Sequence, residues 1–532
     1  MKMSIYTFND DSKNSGSFKR LQMILVIIFF AMMSSVSIKA QLTGTKNIPG
    51  DYATLATAIA DLNTQGVGSG GVIINLIAGN PQTAPAGGYI IGNTGSAVLT
   101  TSSAANPVTI QGNGNTITAG LQAAGTVNDA VFALVGADYV AIQNFVIQEN
   151  VANTITAVAT NTMTEWGIAQ FYVSVTDGAQ NNTIQNNTIG LSVSYQNAVG
   201  IYSTSTTSIA APTVTAVATS AAGLNSGFKV YGNIINNIAV GIYDGSPNST
   251  DVLQTGDDIG GTSAATANTI TYGNNTANDA GWGGLFLNSS AGIHVRNILG
   301  INIRFNTVVS NSMTIATTGI AVSAAVTPIA TNAYTNTISD NTITLTQVGT
   351  GAVSGIQQGY GNASATHNLN NNIITLNQNL PTTSTAQVNG IFASSIFLNV
   401  TANNNTIVID QNIAANVTTS QVTGINVLPL AAVTGSSQTV TGNGITIRQS
   451  TTGGTYSNVI IYIWANFAPN AFSIGTGNIS GNQLNTTGGT IRTATITYCI
   501  YHGFTYTNGL TINGNTLNID KTGAGPWLEP LQ

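Results

Sequence analysis

Charge is what this sequence has least of. Asp, Glu, Lys and Arg make up 6% of its 532 residues, against roughly a quarter in an ordinary soluble domain. The few charges lean acidic, with 18 Asp+Glu against 12 Lys+Arg, and no basic stripe is present for nucleic acid. A single cysteine, Cys499, excludes a disulfide framework and any multi-cysteine metal site. Of the three histidines, His294, His367 and His502, the last two are isolated in sequence, and three in all do not suggest a histidine metal site. Hydrophobic residues make up 42%, so the chain can bury a large core and is no disordered polar tract. Thr, Asn, Ser, Ala and Gly fill the remainder, the composition of a long, repetitive β protein.

The first forty residues differ from the rest. Lys19 and Arg20 precede the apolar run Leu21–Met33, which is followed by small residues and Ala40-Gln41. That order predicts a bacterial secretory signal over residues 1–40 and a secreted or cell-surface protein. The run is too short for a comfortable membrane span, so none is expected in the mature chain. A polar leader before Lys19, and Ile38 where a small residue belongs, depart from the ideal and keep an N-terminal anchor as the alternative. Without residues 1–40 the chain holds 7 Lys+Arg against 16 Asp+Glu, a net charge of −9. Solubility then rests on hydroxyl and amide groups.

Residues 41–80 read as an N-terminal cap. Tyr52, Leu55, Ala56, Ile59 and Leu62 fall on one face of a short helix, with Asp51 placed to cap it and Gly66 to stop it. Such a helix would cover the open edge of a first strand, VIINLIAG. From residue 81 to 532 one unit recurs. An Asn opens a short β segment at Asn341, Asn372, Asn405, Asn443, Asn482 and Asn515, at intervals of 31, 33, 38, 39 and 33 residues. Less regular copies begin at Asn115, Asn144, Asn187, Asn233 and Asn306. Between copies, Gly-Ile or Gly-Leu opens another strand at Gly200, Gly241, Gly284, Gly319, Gly355, Gly390 and Gly424. Self-similarity at this period without helical spacing predicts a β solenoid of about a dozen coils.

Period-two alternation sends Ile343, Ile374, Ile407, Ile445, Leu484 and Leu517 inward, one above another. The Asn sits at the corner, where a left-handed residue is tolerated and amides can bond from coil to coil. The Gly before Ile is expected to serve another corner. With these corners and inward aliphatics, the chain over roughly residues 48–520 resembles the right-handed parallel β-helix superfamily, the pectate-lyase-like solenoids. The resemblance implies an all-β, single-stranded right-handed parallel β-helix, here with a short N-terminal capping helix.

Members of that superfamily that degrade acidic polysaccharides use clustered carboxylates with a basic residue, so the resemblance directs attention to residues 244–304. Asp244, Asp251, Asp257, Asp258 and Asp279 lie there, followed by His294, Arg296 and Arg304. Asp257, Asp258, His294 and Arg304 are the catalytic candidates, and Asp251, Asp257 and Asp258 the candidates for Ca²⁺. Their spacing departs from that of the polygalacturonase-type glycosidases, since six residues cannot place Asp251 and Asp257 on adjacent coils. An acidic turn without chemistry is therefore the favoured reading, and no cofactor is required. After residue 280 the acids are only Asp340, Asp410, Asp520 and Glu529, too sparse for acid/base work.

The outward position after Gly-Ile holds Tyr202, Tyr243 and Phe286, near Trp166 and Trp282. These rings either offer faces to sugars or stabilise one another across coils; the second is favoured. An ice-binding Thr array at Thr342, Thr344 and Thr346 is excluded, because Asp410 and Arg448 interrupt it in later copies. Two functional readings follow. The first is an exported, non-catalytic, monomeric surface solenoid for adhesion or contact with polysaccharide or cell-surface glycan, with no nucleic-acid partner. The alternative is a polysaccharide lyase or glycoside hydrolase. The repeats stop at Asp520, and the expected piece of a longer protein is slightly preferred to a complete chain.

Overall fold

A strand that alternates apolar and polar residues has one face to bury, and here each coil buries it against the next. In the computed structural model this produces three parallel sheets of 14, 13 and 13 strands. The structure describes residues 40–125, 129–204, 218–246, 249–276, 290–323, 332–380, 386–413, 417–431, 433–450, 456–465, 473–492, 496–502, 505–506, 508–522 and 527–528. The predicted signal, Trp282, Phe286 and Asp279 lie outside them. Residues Leu42–Gln532 form one compact unit. Among the described residues no helix is long and apolar enough to cross a membrane.

From Val67–Leu76 onward the chain visits sheets A, B and C in turn, after a first strand, Leu42–Ile48, that also belongs to sheet A; Ser473–Ile474 and Thr505–Tyr506 pair apart from them. Sheet A runs from Leu42–Ile48 to Leu510–Asn513, sheet B from Gln82–Thr83 to Thr516–Asn518, and sheet C from Tyr89–Gly92 to Trp527–Leu528. The protein is an all-β parallel solenoid, as the repeat predicted. Ile343, Ile374, Ile407 and Ile445 stand in register on adjacent strands of sheet B, and all four are buried. The helix Leu55–Gln65 tucks Leu55, Ile59 and Leu62 into the same core. Its cap is Thr54, in a capping box with Thr57, and not Asp51, whose carboxylate accepts the Asn47 N–H at 2.7 Å.

The corner between sheets A and B holds an amide ladder. Asn187, Asn233, Asn268, Asn306, Asn341, Asn372, Asn405, Asn443, Asn482 and Asn515 follow one another, each side-chain N–H donating to the next side-chain oxygen at 2.8–3.1 Å. The second amide hydrogen donates to a backbone carbonyl of the preceding coil, as Asn372 does to Ile338 at 2.9 Å. Every buried polar atom of a rung is thereby used. The left-handed residue is not the rung itself but the one before it: Asn186, Gly232, Phe305, Asp340, Asn371, Asn404, Gly442, Gly481 and Gly514 have positive φ. Asn144 (φ 61°) takes that place in its coil. Phe145 stands at the rung, where its backbone N–H still donates to Asn187 at 3.0 Å.

The Gly of Gly-Ile also has a different reason from the one expected. Gly200, Gly241, Gly319, Gly355, Gly390 and Gly424 lie within strands of sheet C and show no left-handed φ. What they supply is room. A Cβ on Gly355 would stand 2.5 Å from Ile374 Cγ2 and 2.6 Å from the Gly390 carbonyl.

Cys499 lies in the strand Thr497–His502, 4% exposed. Burial pushes its thiol up to about 11, so little thiolate exists at neutral pH. The folded protein is expected to resist iodoacetamide at pH 8 and to label readily in denaturant. Fast labelling without denaturant would show that this strand opens.

Candidate functional site

Sheet A carries a uniform polar surface over four successive coils. On its strands Ala365–Asn370, Asn399–Asn403, Ser437–Thr441 and Thr476–Ser480, the inward set includes Leu369, Val400, Val440 and Ile479, all buried. The outward set forms three columns along the coils. One is Thr366, Asn399, Ser437 and Thr476; the next is Asn368, Thr401, Thr439 and Asn478; the third is Asn370, Asn403, Thr441 and Ser480. Every position is Ser, Thr or Asn, and no charge interrupts them.

Hydrogen bonds tie these columns into a lattice. The Asn399 side-chain amide donates to the Thr366 hydroxyl at 3.2 Å, and the Ser437 hydroxyl to the Asn399 side-chain oxygen at 2.7 Å. The Thr401 hydroxyl donates to Asn368 at 3.2 Å and that of Thr441 to Asn403 at 2.9 Å. The side chains are thus held in place before any ligand arrives. Hydroxyls and amides retain further donors and acceptors toward solvent, repeating about every 4.8 Å along the coils.

Nearer the N-terminus the same face changes character. There Arg304 pairs with Asp258 at 3.2 Å, and the Tyr231 hydroxyl donates to the same carboxylate oxygen at 3.2 Å. Asp258 and Arg304 are therefore partners on the outer surface of sheet A. Asp257, one residue earlier, points the other way: it is fully buried and accepts the Phe228 N–H at 2.8 Å and the Gln254 amide at 2.7 Å. Asp251 is exposed on a turn, bonded to Thr250 and Ser249. His294 lies on sheet C, 6% exposed, with Nε2 2.8 Å from the Ser323 hydroxyl. Burial, with Arg296 adding to it, lowers its pKa to about 4, so the ring is neutral at physiological pH.

The predicted candidates are consequently distributed over the interior, two sheets and a loop. Asp258 opens the short strand Asp258–Ile259 with its side chain outward, whereas Asp257 lies just before the strand and is buried. Only Asp244 joins Asp257, through Gln254. Among the described residues no group of three or more His, Cys, Asp or Glu is placed to hold a metal ion.

Tyr202 and Tyr243 do stack outward from sheet C, but neither reaches solvent. Trp166, Tyr202 and Tyr243 form a continuous pile with ring centroids 5.0 and 5.2 Å apart, and all three are fully buried. With Phe171, Val199 and Val240 they make a second apolar cluster on that face. A ring without an exposed face cannot stack on a sugar; here the stack stabilises the coils. On sheet B, the Thr346 column runs through Asn377 to Asp410 and Arg448, which pair at 2.5 and 2.7 Å. That ion pair breaks the Thr array, as expected.

The lattice on sheet A was not singled out from the sequence. Its signal was nevertheless present in ATHNLN, NVTAN, SQTVT and TGNIS, where small polar residues occupy every second position. A buried glutamine ladder was also missed: Gln411 donates to Gln378 at 2.6 Å and Gln449 to Gln411 at 2.9 Å. The sequence matches no protein-family model and no curated protein.

Proposed function

We propose that this chain is an exported, non-catalytic β-helix that contacts neutral carbohydrate through the outer face of sheet A, a surface protein whose fold kin are the pectate-lyase-like solenoids. The observation that carries this reading is the uninterrupted Ser/Thr/Asn lattice over residues 366–480. Neutral sugars present dense hydroxyls, and hydroxyl and amide side chains match them as both donors and acceptors. A face without charge has no preference for uronic acids. Each contact is weak, but the repeat lets one extended glycan meet several coils at once, and linked contacts multiply affinity.

A lyase or hydrolase, the competing reading, needs carboxylates that face one substrate. Glycoside hydrolysis takes two of them roughly 5–10 Å apart across the scissile bond, whereas Asp257 is buried and Asp258 faces outward. The lattice is tested by Thr439→Glu, at the centre of its middle column. Co-sedimentation of the full chain with insoluble neutral polysaccharides should fall about tenfold in affinity, one lost contact set of roughly 1.4 kcal/mol. The urea midpoint should move little, since Thr439 is half-buried on the outer face and surface substitutions away from the core usually stay within about 0.5 kcal/mol. Unchanged binding by the variant would remove sheet A from the reading.

A further inference from the structure

Four acids are sealed inside the coils: Asp129, Glu165, Asp244 and Asp257 are fully buried. They form two pairs. Asp129 and Glu165 precede adjacent strands of sheet C, where Trp166 lies opposite Ala130. The Asp129 N–H donates to Glu165 Oε2 at 3.3 Å, the Glu165 N–H to Asp129 Oδ1 at 3.1 Å, and the Tyr195 hydroxyl to Glu165 Oε1 at 2.6 Å. The two carboxyls are also within hydrogen-bonding reach of each other. Between two carboxyl groups only a proton makes that contact attractive.

The second pair is bridged. Asp244 points inward from Val240–Gly245, in register with Ser203 on one side and Val295 on the other. The single Gln254 amide donates to Asp244 Oδ1 at 2.9 Å and to Asp257 Oδ2 at 2.7 Å. Ser203 bonds the Asp244 carboxyl as well. Neutral donors thus surround two acids with no cation among them.

The charged and titratable neighbours sharpen the point. Asp129 feels Glu149 besides Glu165, and Glu165 feels Asp129 and Tyr195. Asp257 feels Asp244. His294 and Arg296 belong to the strand next to Asp244, but His294 shares the outward column of Tyr243 and Arg296 is in register with Gly245, one position past Asp244. Among the described residues the ion pairs are Asp258–Arg304 and Asp410–Arg448, and neither touches these acids.

We propose that the folded solenoid keeps each buried pair, Asp129–Glu165 and Asp244–Asp257, at least singly protonated near neutral pH, so that acid tightens these coils and alkali loosens them. Burial pushes all four acids upward, Asp244 to about 7. In the unfolded chain the same groups titrate at roughly 3.9 and 4.3, the ordinary values of Asp and Glu side chains in water. Below those values both states are protonated and the pairs make no difference. Between about pH 4 and pH 7 the unfolded chain releases protons that the fold retains, so stability falls as pH rises. This is the reverse of acid denaturation driven by ion-paired carboxylates.

Urea unfolding of the full chain tests the proposal at pH 5, 7 and 8. For each retained proton the folding constant should fall about tenfold per pH unit, roughly a hundredfold per pair between pH 5 and pH 7. Glu165→Gln, which imitates the protonated acid, should flatten that slope by one proton and raise the midpoint at pH 8. Infrared spectra of the unmodified chain at pH 6 should show the carbonyl stretch of a protonated carboxyl, lost on unfolding; this readout stands even if the variant does not fold. Absence of that band would overturn the proposal, as would a wild-type slope in a folded Glu165→Gln variant or greater stability at pH 8 than at pH 5. A pH 8 midpoint raised by Ca²⁺ and lowered by chelator would show that a cation, not a proton, balances the acids.

Discussion

Replacing Asn372 by Asp is expected to cost the fold about 4 kcal/mol or more. The Asn372 amide donates to the Ile338 carbonyl at 2.9 Å and to the Asn405 side-chain oxygen at 3.1 Å. Its own oxygen accepts the Asn341 backbone N–H at 3.2 Å and the Asn341 amide at 3.0 Å. Aspartate keeps the accepting half and turns the donating half into an oxygen facing two oxygens. Each buried group left without a partner costs about 1–3 kcal/mol, and a buried charge costs more. Asn372→Leu should be nearly as harmful, because it strands partners in both neighbouring coils. Asn515, the half-buried last rung, provides the control: its replacement by Asp should cost under about 1.5 kcal/mol, since water reaches it. Urea unfolding of the three variants checks the gradient. Equal costs at Asn372 and Asn515 would mean that the ladder contributes nothing beyond its individual bonds.

Two glycines of the same solenoid should respond with opposite signs. On Gly390 a Cβ would meet the Gly424 carbonyl at 2.5 Å and Ile407 Cγ2 at 2.6 Å. The carbonyl belongs to the adjacent strand of sheet C and cannot retreat without unpairing it. Gly390→Ala should therefore destabilise by about 3 kcal/mol, the upper end for overpacking. Gly444 stands opposite Thr406 on the outer face of sheet B, with nothing within 4 Å of an added Cβ. Gly444→Thr should be neutral or stabilising by up to about 1 kcal/mol, because it restores β propensity and removes backbone freedom from the unfolded chain. Thermal or urea midpoints decide the matter. A tolerated Gly390→Ala would show that the Gly-Ile signature does not arise from crowding.

These contrasts also show how far the sequence could be followed. The inward columns were legible because Ile343, Ile374, Ile407 and Ile445 obey period two and recur at coil spacing. The ladder was legible for the same reason. The left-handed residue was displaced by one, since pairs such as Asn371-Asn372 and Asn404-Asn405 carry the same residue type at both positions. Gly-Ile looked like a corner because glycine marks both turns and close approaches; only the position of Ile374 against Gly355 separates them. The candidate site was harder to read. Asp257 and Asp258 are adjacent letters with opposite directions, and a two-residue strand, Asp258–Ile259, gives no alternation to count. Tyr202 and Tyr243 were correctly placed outward, yet an outward position on sheet C is not an exposed one. The interior acids were not legible either: Asp129, Glu165 and Asp257 lie just before strands, and Asp244 sits in a mixed inward column between Ser203 and Val295.

The binding account is tested most directly by one incubation of the purified full chain with a panel of neutral and acidic polysaccharides, with and without chelator, assayed for bound protein and for newly released sugar ends. The account predicts retention on neutral polymers, indifference to chelator and no new ends. Unsaturated or reducing ends that accumulate with time would contradict it, and so would retention confined to acidic polymers.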